Sequence, residues 1–83
     1  MKHWLSEKTA AEVQKRYLDT IEAAIGKARA IREPATVEAP DGAEAYAYPH
    51  REGRIAWGVN AAETGVNILR GVRRPDGKDE AMG

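Results

Sequence analysis

The chain has 83 residues, 42 % of them apolar but only 6 % aromatic, with no Phe and no Cys. Lys plus Arg number 13, Asp plus Glu also number 13, and the formal net charge is zero. Such a length holds one small domain with a thin core, the lack of Cys excludes disulfides and thiolate chemistry, and neutrality argues against a general nucleic-acid coat or a membrane-surface binder.

No apolar run is long enough to span a bilayer. The start, Met1 to Lys8, has no apolar signal-peptide core. The expectation is a cytoplasmic protein.

The first element is a helix. Thr9-Ala10-Ala11-Glu12 fits a capping box, with Ser6 as a competing cap. Val13, Tyr17, Leu18, Ile21, Ala24, Ile25, Ala28 and Ile31 then recur at spacings of three and four, which makes one apolar stripe. Pro34 disfavours helical geometry at Glu33 and ends the pattern. Gly26 lies inside this span, where it marks a close contact or a bend.

Beyond Pro34 the period becomes two. A short strand around Val37 leads into Pro40-Asp41-Gly42, a turn signal. Strands follow over 43–48, 54–60 and 65–73, the first two joined by the loop Pro49 to Gly53. Residues 75–83 read as a flexible polar tail beyond a single domain of residues 1–74. The fold class is α+β: one long N-terminal helix packed on a three- or four-stranded antiparallel meander. The expected core face carries Ile55, Trp57, Val59, Val66, Ile68 and Val72 with Tyr46 and Tyr48. Ala45, Ala47, Ala56, Gly58, Leu69 and Gly71 are left on the second face. A flat face of Ala and Gly accepts another backbone closely, so a partner or a second copy is expected there, unless Trp4 and Leu5 fold over it.

No catalytic constellation stands out. Ser6 reads as a cap, and His3 and His50 are the only imidazoles. His50 with Glu52 is too little for a metal, which needs three or four clustered ligands. No glycine-rich phosphate loop opens a helix. Neither an enzyme nor a cofactor is expected. Charge layout is more informative. Glu38, Asp41 and Glu44 lie in a segment without cations, and Arg54, Arg70, Arg73 and Arg74 follow. Arg grips carboxylates and phosphates with a planar fork, so these two groups are the candidate partner-binding residues.

The stretch Arg16-Tyr17-Leu18-Asp19-Thr20-Ile21-Glu22-Ala23-Ala24-Ile25 resembles the second helix of ParE-type toxins of the RelE/ParE superfamily. Gly53 to Asn60 is similar to the penultimate strand of that family, and Val66 to Arg74 to its last strand. The N-terminal strand with which the family opens has no counterpart here, and Arg73 stands where the family often carries His. The resemblance implies a non-enzymatic inhibitor acting by contact on a gyrase-like target, held by an antitoxin that adds along an open sheet edge. Size and composition also suit a phage-encoded inhibitor of a host defence complex, of the anti-CRISPR type, in which Glu38, Asp41 and Glu44 oppose a basic nucleic-acid channel. A phage structural or assembly component that forms homodimers is a third expectation. Direct nucleic-acid binding is not expected.

Overall fold

The computed structural model describes residues 7–81. Trp4 and Leu5, expected as a cover for the second face, Ser6, the competing cap, and the imidazole of His3 lie outside the described residues. Two helices, α1 (Glu7–Arg16) and α2 (Leu18–Ile31), precede five strands: β1 (Ala35–Glu38), β2 (Glu44–Pro49), β3 (Ile55–Asn60), β4 (Asn67–Arg73) and β5 (Asp79–Ala81). The sheet is an antiparallel meander in the order β1-β2-β3-β4-β5.

The α+β class is as expected, but the single long helix is divided. Tyr17 leaves helical geometry at φ −104° and ψ 14°. The hydrogen bonding nevertheless runs through it: Tyr17 N–H donates to Val13 O at 3.2 Å, and Ile21 N–H donates to Tyr17 O at 2.8 Å. Gly26, expected to mark a close contact or a bend, makes no close contact and lies within the unbroken span of α2. It faces solvent, with nothing within 4 Å of where a Cβ would sit. Thr9 lies inside α1 rather than capping it.

The strand count also exceeds the expectation. β5 comes from the segment that composition reads as a tail. Its turn repeats the β1–β2 turn bond for bond. In the first, Ala39 N–H donates to Ala43 O at 2.7 Å, Gly42 N–H to Ala39 O at 2.9 Å, and Ala43 N–H to Asp41 Oδ1 at 3.0 Å. In the second, Arg74 N–H donates to Lys78 O at 2.8 Å, Gly77 N–H to Arg74 O at 2.9 Å, and Lys78 N–H to Asp76 Oδ1 at 3.0 Å. Both turns are Pro-Asp-Gly. Pro fixes the first φ, Asp bonds the backbone two residues on, and Gly takes φ near +90° (90° and 88°), where other residues are strained.

The core lies between α2 and one face of the sheet. Ile21, Ala24, Ile25 and Ala28 of α2 are fully buried against Ala35, Ala45, Ala47, Ile55, Trp57 and Val59. Each buried Ile contributes about 2 kcal/mol by removal of apolar surface from water. α1 reaches over β4, with Val13 in contact with the core and Gln14 Nε2 donating to Asp79 Oδ2 at 2.8 Å. Leu18 and Ile31, the ends of the α2 stripe, stay exposed.

The packed face is the expected one in β3, where Ile55, Trp57 and Val59 meet α2, but β2 and β4 present their opposite rows to it, so that Tyr46, Tyr48 and Val72 lie on the other face. Register pairs Ala45 with Val59 and Leu69, and Ala47 with Trp57 and Gly71. The Ala residues of β2 therefore face the helix, and Tyr46 and Tyr48 face away. Ala24 and Ala28 on one side and Ala45 and Ala47 on the other let α2 approach the sheet closely, where two Tyr rings would hold it off. Gly71 serves the same packing, because a Cβ there would come within 2.8 Å of Trp57 Cζ2. Trp57 Nε1 is buried without a hydrogen-bond partner among the described residues.

Candidate functional site: the open face of the sheet

The face turned away from α2 follows from strand alternation. One row across it is Glu38, Glu44, Asn60 and Asn67; the next is Thr36, Tyr46, Gly58 and Arg70; the third is Tyr48, Ala56, Val72 and Glu80. Arg54 and Arg74 lie at the far end, where both approach Glu80.

Tyr46 lies across Gly58, whose missing side chain leaves the space its ring occupies. Its Oη accepts a hydrogen bond from Asn67 Nδ2 at 2.6 Å. Tyr48 runs parallel to it, with ring centroids 6.3 Å apart and planes 9° from parallel. Beneath the aromatic layer Ala56 is 0 % exposed and Val72 7 %. Tyr48 itself remains 36 % exposed. The centre of the face is thus a flat, pre-ordered aromatic surface. Such rings give large contact area at little loss of side-chain freedom.

The four candidate cations separate into three situations. Arg73 lies on the helix side, buried, with a forked contact to Glu22 and a further ion pair with Asp79. Glu22 first and Asp79 second raise its pKa further. It holds the fold together and presents no guanidinium to a partner. Arg54 donates to Glu52 at 2.8 Å and to Glu80 at 3.3 Å, which together raise its pKa. Arg74 pairs with Asp76 at 2.9 Å and approaches Glu80 at 3.6 Å. Arg70 alone of the four makes no ion pair among the described residues, and it stands in the same row as Tyr46.

The acidic group divides in the same way. Glu38 and Glu44 are direct cross-strand neighbours at one end of the open face, both exposed. Asp41 lies in the β1–β2 turn. There it accepts from Tyr17 Oη at 2.6 Å and from the Ala43 N–H. The bond from Tyr17 is the main cause of a lowered Asp41 pKa, and the same bond raises that of Tyr17.

The structure therefore joins Glu38, Glu44 and Arg70 on one face and withdraws Arg73 and Asp41 into structural bonds. Tyr46 and Tyr48, expected on the core face, lie on the open one. The signal that could have found them is Gly58, which the meander register sets beside Tyr46. Among the described residues no group of three or more acidic or His side chains could hold a metal, and no helix is long and apolar enough to cross a membrane. No family model, curated protein or solved structure matches the chain.

Proposed function

We propose that this chain is a non-enzymatic binding protein that inhibits a macromolecular target in the cytoplasm by surface contact, through the open face of its sheet. The observation that carries the reading is the Tyr46–Tyr48 surface, ordered by Gly58 and Asn67, beside Arg70, which makes no ion pair among the described residues. Aromatic side chains and Arg are the residues that dominate binding energy at protein interfaces. The resemblance to ParE-type toxins favours a gyrase-like target and an antitoxin partner.

One observation favours a second target class. Glu38 and Glu44 stand directly opposite each other, an arrangement that destabilises a sheet. A basic partner surface relieves that repulsion, which suits an inhibitor of a host defence complex that occludes a nucleic-acid channel.

Tightly induced expression in a bacterial culture tests both. Growth arrest that Tyr48→Ala and Arg70→Glu each abolish, in folded protein, supports the toxin form. Unimpaired growth, with phage plating restored on a CRISPR-immune host and lost again on Glu38→Lys, supports the defence inhibitor. Activity that survives all three substitutions overturns the assignment of the face.

A further inference from the structure

A second surface feature lies away from the open face, where the end of α2 meets the β2–β3 loop. A cavity of about 240 Å³ opens there. Its floor is apolar and buried, formed by Ala28 and Ile55, with Pro49 alongside. Its rim carries two cations, Arg29 and Arg32, and both are exposed around the mouth with the His50 ring beside them. Arg54 also lines it, but its guanidinium is held by Glu52 and Glu80, so its stem is what it offers. Arg29 and Arg32 make no ion pair and no side-chain hydrogen bond among the described residues.

We infer that this cavity binds a small carboxylic acid with an apolar body. The apolar body fills the floor over Ala28 and Ile55, and the carboxylate meets the guanidiniums of Arg29 and Arg32, whose planar forks match it. The volume lies below the roughly 300 Å³ at which sites for drug-sized ligands begin, which limits the body to about one ring or a branched chain. Inorganic phosphate satisfies the rim but leaves the apolar floor unfilled. The C-terminal end of α2 contributes roughly half a negative charge nearby, and the two guanidiniums outweigh it. Arg32 also occupies the helix C-cap at φ 58°, with its N–H on Ala28 O at 2.8 Å. Gly or Asn is usual in that left-handed geometry. An Arg there holds a charge over the cavity at some conformational cost.

The test is an NMR titration of the full chain with phenylacetate, with phenylacetamide as the neutral isostere. Saturable shifts at the amides of Ala28, Gly53 and Ile55 are expected, at least tenfold weaker for the amide. Arg29→Gln with Arg32→Gln, both on the exposed rim, should weaken phenylacetate at least tenfold and leave the amide unchanged. Equal binding of acid and amide, full affinity in the Gln variant, or no saturable shift at tens of millimolar each overturns the inference.

Discussion

Glu22 and Arg73 are 51 positions apart and meet in a two-pronged contact, with Nη1 donating to Oε1 at 3.1 Å and Nη2 to Oε2 at 2.6 Å. The same guanidinium bonds Asp79 of β5, so one side chain joins α2, β4 and the last strand. Its side chain is 11 % exposed, whereas that of Glu22 is 48 % exposed.

That asymmetry sets the first prediction. Arg73→Met leaves Asp79 without its cation and should lower stability by about 2–3 kcal/mol. Glu22→Gln acts at a half-exposed, screened group and should remove no more than about 1 kcal/mol. Arg73→Lys loses the fork and should fall near the Met variant. Urea unfolding midpoints decide the order. An Arg73→Met variant as stable as the parent would show that the network is ornamental.

Gly26 faces water in the middle of α2 with open space above it. Gly26→Ala should therefore raise stability by about 0.5–1 kcal/mol, through a smaller loss of backbone freedom on folding. Thermal unfolding is the measurement, and a fall in the midpoint would point to a contact at this position.

The Tyr17–Asp41 bond gives stability a pH signature. The folded carboxyl of Asp41 titrates below its ordinary value, so its contribution is complete above that value and is lost as pH falls through the folded one. Tyr17 titrates above its ordinary value, so its contribution is complete below that value and is lost as pH rises through the raised one. The gap in urea midpoint between the parent and Tyr17→Phe should be widest at neutral pH and narrow at both extremes. A gap that does not change with pH would remove the bond from the account.

The two glycines under aromatic rings should respond unequally. At Gly71 a new Cβ meets Trp57 in the core and the Glu80 carbonyl at 3.1 Å. At Gly58 it meets Tyr46, whose ring can swing into solvent. Gly71→Ala should lower stability by about 2–3 kcal/mol, the upper range for overpacking, and Gly58→Ala by about 1 kcal/mol. Gly58→Ala should also shift the Asn67 side-chain amide resonances, because Tyr46 can no longer hold its position. Calorimetry and NMR read the two effects separately.

Much of the fold was legible residue by residue. The apolar spacing and Pro34 set the end of the helical region, and the change to a period of two set the strands. What failed is instructive. The same tripeptide that was read as a turn at Pro40-Asp41-Gly42 occurs again at Pro75-Asp76-Gly77. The residues after it are polar and show no alternation that would mark a strand. β5 is short and held largely by Arg73 and β4 backbone, so it carries no apolar pattern to read. In β2, alternation established that Ala45 and Tyr46 lie on opposite faces but left open which face meets α2. Hydrophobicity favoured the tyrosines, and close approach of an Ala-rich helix favoured the alanines. Register decided it, through Ala47 opposite Trp57. The candidate site suffered in proportion. Charge alone could not show that Arg73, Arg54 and Arg74 are matched by acids brought in from α2, the hairpin loop and β5.

The strand order has a kinetic corollary. Each strand pairs only with its neighbours in sequence, so each pairing closes only a short loop at small entropic expense. The sheet can zip from any of its turns, two of which are the same Pro-Asp-Gly hairpin. The docking of α2, fastened at its first turns by Tyr17 and Glu22, is the distant encounter that remains. A chain with this topology belongs among the faster-folding sheet proteins. Its rate should respond more to Gly42 and Gly77, in the two hairpin turns, than to the Glu22–Arg73 contact, which joins α2 to the sheet across 51 positions.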